Sequence, residues 1–246
     1  MSTNPPLLNT YQALVSTFTS FLTVAIHTIL YERSIYPASS FLSSRKYNYP
    51  VRQNRHPKVC KWIQDAVAAV EAEMLKGTVA RVAVVIYSPE NEPLERFMFD
   101  VSRLPNVPPA EALTPFENTP LPAEEISSDP PSVSVVDLEE QFRGAMSKLS
   151  VCGGTLGALP ENCSFTLCVE LKDQANPPIA HPQPWIPAQP ALQHSRNRDG
   201  DDSSGSTTTD QGRDLGGVKT TPIRAVGAGE FALEMWIEEG KRKRKQ

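Results

Sequence analysis

The chain has 246 residues, 39% of them hydrophobic, with 23 prolines and a net charge of −4 at neutral pH. That length holds one large domain or two small ones, and the prolines and a long polar tract predict a compact core of about 150–180 residues with sizeable loops. Residues 241–245, KRKRK, concentrate positive charge at the end of the chain, so the body is acidic. This argues against nonspecific DNA binding as the main activity, because such binding rests on cations facing phosphates.

In chain order, Tyr11, Leu14, Val15, Phe18, Phe21, Leu22, Ala25, Ile26, Ile29 and Leu30 recur at spacings of three and four and predict a long, largely buried helix. Thr17, Thr19, Ser20, Thr23, His27 and Thr28 interrupt the run, so it reads as an amphipathic helix, too polar for a membrane span. No basic region precedes it, and a soluble intracellular protein with no membrane partner is expected. The helix is expected to stop near Tyr36–Pro37, since the residue before a proline is pushed out of the helical region. Residues 33–64 hold Arg33, Arg45, Lys46, Arg52, Arg55, Lys58 and Lys61 and no carboxylate, a local charge suited to an acidic partner or an intramolecular contact.

Pro57 fits the first turn of a second helix, with Val59, Trp62, Ile63, Val67, Val70 and Met74 on its inner face and Gly77 closing it. TVARVAVVIYS (78–88) predicts a central strand, PENEP a turn, and LERFMFDV (94–101) a hairpin partner. Eight prolines in 105–131 predict a loop of low order. A third helix follows from about Val133 to Val151, packing Leu138, Phe142, Ala145, Met146 and Leu149, and then a strand at 163–171. Residues 174–192 are proline-rich, and 193–217 read as a disordered insertion. Apolar patterning returns at 221–226 and 231–239, so the chain leaves its core near 173 and comes back as strand.

Cys60, Cys152, Cys163 and Cys168 form no CxxC pair and are expected as free thiols in a reducing compartment. No nucleophile motif, phosphate loop or HExxH is present, and the four histidines are scattered. No enzyme, cofactor or metal is expected.

The words FLTVAIHTILYERSIYP (21–37), KYNYPV (46–51), HPKVCKWIQD (56–65), RVAVVIYSPENEPLERFMFDV (81–101), KLSVC (148–152) and PWIPA (184–188) resemble the HORMA domain family, and within it the accessory subunits of DNA polymerase zeta in translesion synthesis. The resemblance implies an α+β fold, three helices packed on a mainly antiparallel sheet. It implies a single domain over 8–240, a core at 8–173 and a C-terminal safety belt at 174–240 that traps a short partner peptide, ahead of a basic tail at 241–246. The implied partners are a proline-containing peptide of the polymerase zeta catalytic subunit, a deoxycytidyl transferase, and a second HORMA protein in a homo- or heterodimer.

By the same resemblance Tyr36, Pro37, Trp62, Trp185 and Pro187 border the peptide, Arg143 makes the dimer contact, and Glu234, Met235 and Trp236 meet the transferase. The residues alone also allow plainer roles: helix termination at Tyr36 and Pro37, core packing at Trp62, a solvated cation at Arg143 and an ordinary two-faced strand at 234–236. Trp185 stands alone among prolines, and an idle exposed tryptophan there would be a solubility liability. Lys241, Arg242, Lys243, Arg244 and Lys245 suggest a nuclear localisation signal, hence a nuclear protein. The competing readings are a HORMA adaptor of the mitotic checkpoint or double-strand-break repair, and a direct DNA binder using 45–61 and 241–245.

Overall fold

A computed structural model describes residues 8–116, 135–172, 175, 178, 185–186, 218–240 and 243. Helix α1 spans Tyr11–Glu32, and Thr10 caps it by accepting the Ala13 N–H at 3.2 Å. It is long and apolar enough to cross a membrane by length and composition, yet here it is the central core helix. Exposed positions are confined to Gln12, Ser16 and Ser20, spaced four apart on one stripe of its first half, with Ala13, Thr17 and Val24 partly buried beside them, so the helix is amphipathic and largely buried, as expected. The interrupting threonines permit this: Thr17, Thr23 and Thr28 donate their hydroxyls to the carbonyls of Ala13, Thr19 and Val24 at 2.7, 2.9 and 3.0 Å. A buried hydroxyl so bonded carries little penalty.

Tyr36 and Pro37 do not end this helix. Ser34 adopts φ 53°, its N–H bonding the Tyr31 carbonyl at 3.0 Å while Ile35 N–H bonds that of Leu30 at 3.0 Å. Those two reversed bonds are a Schellman termination built on serine. Strands β1 (Phe41–Lys46) and β2 (Tyr49–Asn54) then form a separate antiparallel hairpin, which the sequence reading missed. Its two-residue turn, Tyr47–Asn48, has φ 52° and 51°, the conformation that matches the twist of paired strands. The Tyr47 ring offsets the strain by packing between Phe21 and Phe142 at 6.1 and 5.1 Å.

Helix α2 (Pro57–Met74) buries Ile63, Val67, Val70 and Met74. A five-stranded antiparallel sheet follows: β3 (Val79–Tyr87), β4 (Pro93–Asp100), β5 (Ser164–Leu171), β6 (Val218–Ala228) and β7 (Phe231–Gly240), in the order β5-β3-β4-β7-β6. Helix α3 spans Val135–Leu149. The helices cover one face of the sheet, where Val82, Val84, Ile86, Phe97, Phe99, Leu233, Met235 and Ile237 point. Phe21 and Phe142 stack at 4.5 Å, and Phe142 meets Phe231 edge-on at 5.6 Å, joining α1, α3 and the C-terminal strands. On the opposite face Ala83, Val85 and Met98 form a smaller cluster under Tyr87, Cys168 and Trp236. Residues 117–131 of the expected loop and the expected insertion at 193–217 lie outside the described residues. The four cysteines are free, Cys152 buried and the others partly so.

Two charged strand residues turn to opposite faces. Glu95 points to the helix side, where its fully buried carboxylate accepts Arg33 Nε at 2.8 Å and Nη2 at 2.7 Å and also contacts Lys243 Nζ. Lys243 Nζ also donates to Glu239 at 2.9 Å and to the Gly157 carbonyl at 2.7 Å, and Gly157 N–H donates to Glu239 at 2.7 Å. Burial alone would raise the Glu239 carboxyl, but the Lys243 and Gly157 hydrogen bonds outweigh it and hold the group below the ordinary carboxylate range. Arg96 turns outward and pairs with Glu238 of β7 at 2.5 Å, both buried. The C-terminal strands are thus tied to β4 on both faces.

His27 of α1 is 6% exposed, and its Nδ1 accepts the Asn54 N–H at 3.3 Å. Burial holds the imidazole well below its usual range, at about 4. The unfolded chain takes up that proton near pH 6.5, so in between it binds more protons than the folded state and stability falls with pH. The expected loss between pH 7 and pH 5 is about 2 kcal/mol. Urea titrations of wild type and His27→Gln should show the substitution flattening this slope; parallel slopes would exclude His27 as its source.

Candidate functional site

An open sheet has two edges, each a row of unpaired backbone groups that can accept another strand. The β6 edge is guarded. Pro222 removes a donor and a register shift follows it, as expected of a protected edge. The side-chain amide of Gln141 on α3 occupies part of the remainder, donating to Gly227 O at 2.8 Å and accepting Gly227 N–H at 2.9 Å.

Among the described residues the β5 edge carries neither a proline nor a side chain laid across it, and the register shift in its pairing with β3 lies on the β3 side, between Val79 and Arg81. Ser164–Leu171 contains no proline, lysine or arginine, and β5 pairs only with β3 among the described strands. Of its helix-side residues Leu167 is buried, but Phe165, Val169 and Leu171 are only partly so, so apolar surface remains beside the open backbone.

Aromatic side chains gather at the start of this edge. Tyr36 meets Phe165 edge-on at 6.3 Å, and Trp62 meets the same ring at 4.9 Å. The expectation that Trp62 lies on the inner face of α2 is therefore corrected. It is 41% exposed, one residue round from the buried Ile63, and leans on β5. Burial raises the Tyr36 phenol above its ordinary range, so its hydroxyl stays a neutral donor. Pro37 is exposed beside it. Trp185 packs against the core while remaining partly exposed, and its indole Nε1 is buried with no hydrogen-bond partner. Buried indole N–H groups ordinarily find an acceptor. Ile186 beside it is 87% exposed, and Pro187 lies outside the described residues. Phe165, which Tyr36 and Trp62 share, was not singled out from the sequence, where it alternates like any core residue.

The remaining expected positions lie elsewhere. Arg143 is partly exposed on α3 and holds Glu140 at 3.3 Å, a surface pair of little energetic weight; with Tyr49, Gln141 and Arg224 it lines an open hollow of about 630 Å³. Glu234 and Trp236 share the outer sheet face, Glu234 paired with Arg103 at 2.8 Å and the Trp236 N–H donating to Glu238 at 3.0 Å. Met235 does not join them. Strand alternation turns it into the core at 4% exposure, which corrects the grouping of 234–236 as one outward surface. Lys243 is likewise not part of a solvated basic run, because Glu95 and Glu239 hold it in the interior. Lys241, Arg242, Arg244 and Lys245 lie outside the described residues. Among the described residues no cluster of three His, Cys, Asp or Glu side chains could hold a metal.

Three helices on an antiparallel sheet, with a C-terminal hairpin returning beside β4, define a HORMA fold, and the HORMA domain profile matches residues 15–221. The chain belongs to the HORMA domain family. Among curated relatives, "DNA polymerase zeta processivity subunit" of Schizosaccharomyces pombe is 30% identical over 225 residues, 92% of each chain. "Mitotic spindle assembly checkpoint protein MAD2B" of Bos taurus is 33% identical over 184 residues, covering 73% of this chain and 78% of the relative. Its namesake in Danio rerio is 29% identical over 237 residues, 94% and 93% of the two chains. Among solved structures, a chain of the mitotic checkpoint complex superposes with TM-score 0.62 at 17% identity, covering 92% of this chain and 97% of that one. Caenorhabditis elegans HTP-2 bound to a HIM-3 closure motif gives 0.55 at 13%, with 96% and 94% covered. At those identities the structures speak for the fold.

Proposed function

We propose that this chain is a non-catalytic adaptor that captures a short proline-containing peptide of the catalytic subunit of DNA polymerase zeta. The peptide adds to the outer edge of β5, and the complex is carried to a deoxycytidyl transferase in translesion synthesis in the nucleus. The observation that carries this reading is the unguarded β5 edge, bordered by Tyr36, Trp62 and Phe165, together with a Trp185 indole that lacks an acceptor. Main-chain bonds to an edge supply affinity and flanking pockets supply choice. Aromatic faces suit prolines, whose stiffness limits the entropy lost on binding.

Topology supports capture rather than mere docking. The chain leaves the sheet at β5 and re-enters at the opposite edge through β6, four strand spacings or roughly 19 Å away. Residues 172–217 far exceed that distance when extended, leaving slack to pass over a bound peptide. The MAD2B name shared by several relatives favours a second reading, a checkpoint adaptor taking a different peptide at the same edge.

Co-expression of the full chain with overlapping fragments of the catalytic subunit separates the two. One proline-containing fragment is expected to co-elute in equimolar amount and then to recruit the C-terminal domain of the transferase. If no fragment co-elutes, the polymerase reading fails, and stable capture of a checkpoint motif instead would establish the alternative.

A further inference from the structure

Seven cations and no carboxylate occupy residues 33–64, and the peptide site uses none of them. Arg33 is spent on Glu95 and Lys61 on Asp65. Among the described residues Arg45, Lys46, Arg55 and Lys58 make no ion pair, and Arg52 makes none either, although the Glu32 carboxylate is near enough to feel its charge. Three of the five, Arg45, Lys46 and Arg52, line one pocket of about 330 Å³ between the β1–β2 hairpin, α1 and α2, and no Asp or Glu lines it.

Neutral groups hold Arg52 and Lys46 in place without a hydrogen-bonded carboxylate, Glu32 acting on Arg52 only at longer range. The Arg52 guanidinium lies 4.9 Å from the Tyr31 ring centroid and donates from Nη1 to Ser43 Oγ at 2.6 Å, leaving its other donors available. The Lys46 ammonium sits 5.3 Å from the Tyr47 ring centroid. Aromatic faces orient a cation but leave its charge unpaired. Neutral donors complete the lining: Ser44, Gln64 and His27. Because His27 Nδ1 accepts the Asn54 amide proton, Nε2 carries the ring's own proton and is a donor. Like charges around one hollow repel, and a compact dianion with several acceptor oxygens relieves that repulsion while using the donors.

We propose that the pocket beneath the β1–β2 hairpin is a second binding site, which takes a phosphorylated serine or threonine side chain of a partner protein. A phosphoprotein fits better than nucleic acid on two grounds. The pocket, at about 330 Å³, has room for a phosphorylated side chain together with part of its own backbone, whereas single-stranded nucleic acid needs a groove that tracks its backbone, with aromatic rings for its bases. The chain also carries a net charge of −4, which repels a polyanion while leaving a local cation pocket effective for a short ligand. The pocket is formed by α1, α2 and the hairpin, whereas the peptide edge is on β5, so the two ligands do not compete.

The test uses the isotope-labelled full chain with three probes: an acidic peptide carrying one phosphoserine, its unphosphorylated twin and a 20-nucleotide single-stranded DNA. The phosphopeptide is expected to bind at least about tenfold more tightly than its twin and to shift the amide signals of Ser44, Arg45 and Gln64. The exposed double substitution Arg45→Glu/Arg52→Glu is expected to abolish that preference, and Lys148→Glu on α3 to leave it intact. Arg45→Gln, which only removes charge, should give a partial loss and guards against a folding artefact. Equal binding of the two peptides, or shifts confined to other regions, overturns the proposal. DNA binding tighter than phosphopeptide binding and lost in the same double variant overturns it in favour of a nucleic-acid site.

Discussion

Arg33→Met is expected to lower the unfolding free energy by about 3–5 kcal/mol, the cost of leaving a buried carboxylate without its main partner. Glu95 is 1% exposed and receives two Arg33 hydrogen bonds, so the substitution leaves it with Lys243 alone. For a domain of this size the melting temperature should fall by on the order of 10 °C. The double variant Arg33→Met/Glu95→Leu removes one charge of each sign and leaves the Glu239–Lys243 pair balanced. It is expected to regain most of the loss, because apolar replacement of a buried ion pair is often neutral or better. Denaturant titration of the three proteins decides the matter. A single variant as stable as wild type would show that water reaches Glu95.

Trp185→Ala is expected to weaken partner-peptide binding by at least about 2 kcal/mol, roughly thirtyfold in Kd, the scale of a central anchor residue. A tryptophan can bury about 150–250 Å², and this one has an indole N–H still in want of an acceptor. Trp185→Phe keeps much of the area and discards the donor, so it should cost about 1 kcal/mol. Trp236→Ala, on the outer sheet face, should leave affinity unchanged. Calorimetry on the captured fragment reads all three, and unchanged affinity in Trp185→Ala would remove the clamp role.

The helices and the five large strands were legible because their apolar periods are strong, but the β1–β2 hairpin was not. Its exposed positions outnumber its buried ones, so no alternation appears, and the Tyr47–Asn48 turn was its main signal. Trp62 was placed on the wrong side of α2 because it neighbours Ile63 and its spacing from Val59 suits an inner stripe. The true stripe is narrower and ends at Ile63, Val67, Val70 and Met74. Tyr36 and Trp62 could be singled out through family resemblance, yet their meeting on Phe165 was invisible, since no local pattern links three residues so far apart. The Arg33–Glu95–Glu239–Lys243 cluster was hidden for the same reason. A carboxylate inside an apolar strand says that a partner exists, not which of many cations it is.

The sheet order also sets a timetable. Strand β4 lies next to β7, which is synthesised last, and at 5–20 residues per second the intervening chain takes on the order of 10 s to appear. Before β6 emerges the nascent protein has α1, α2, α3, the β1–β2 hairpin and three strands of the large sheet, but the apolar flank of β4 awaits its neighbour. Ribosome-bound chains halted before residue 218 should therefore recruit holdase chaperones, and chains released past residue 243 should shed them.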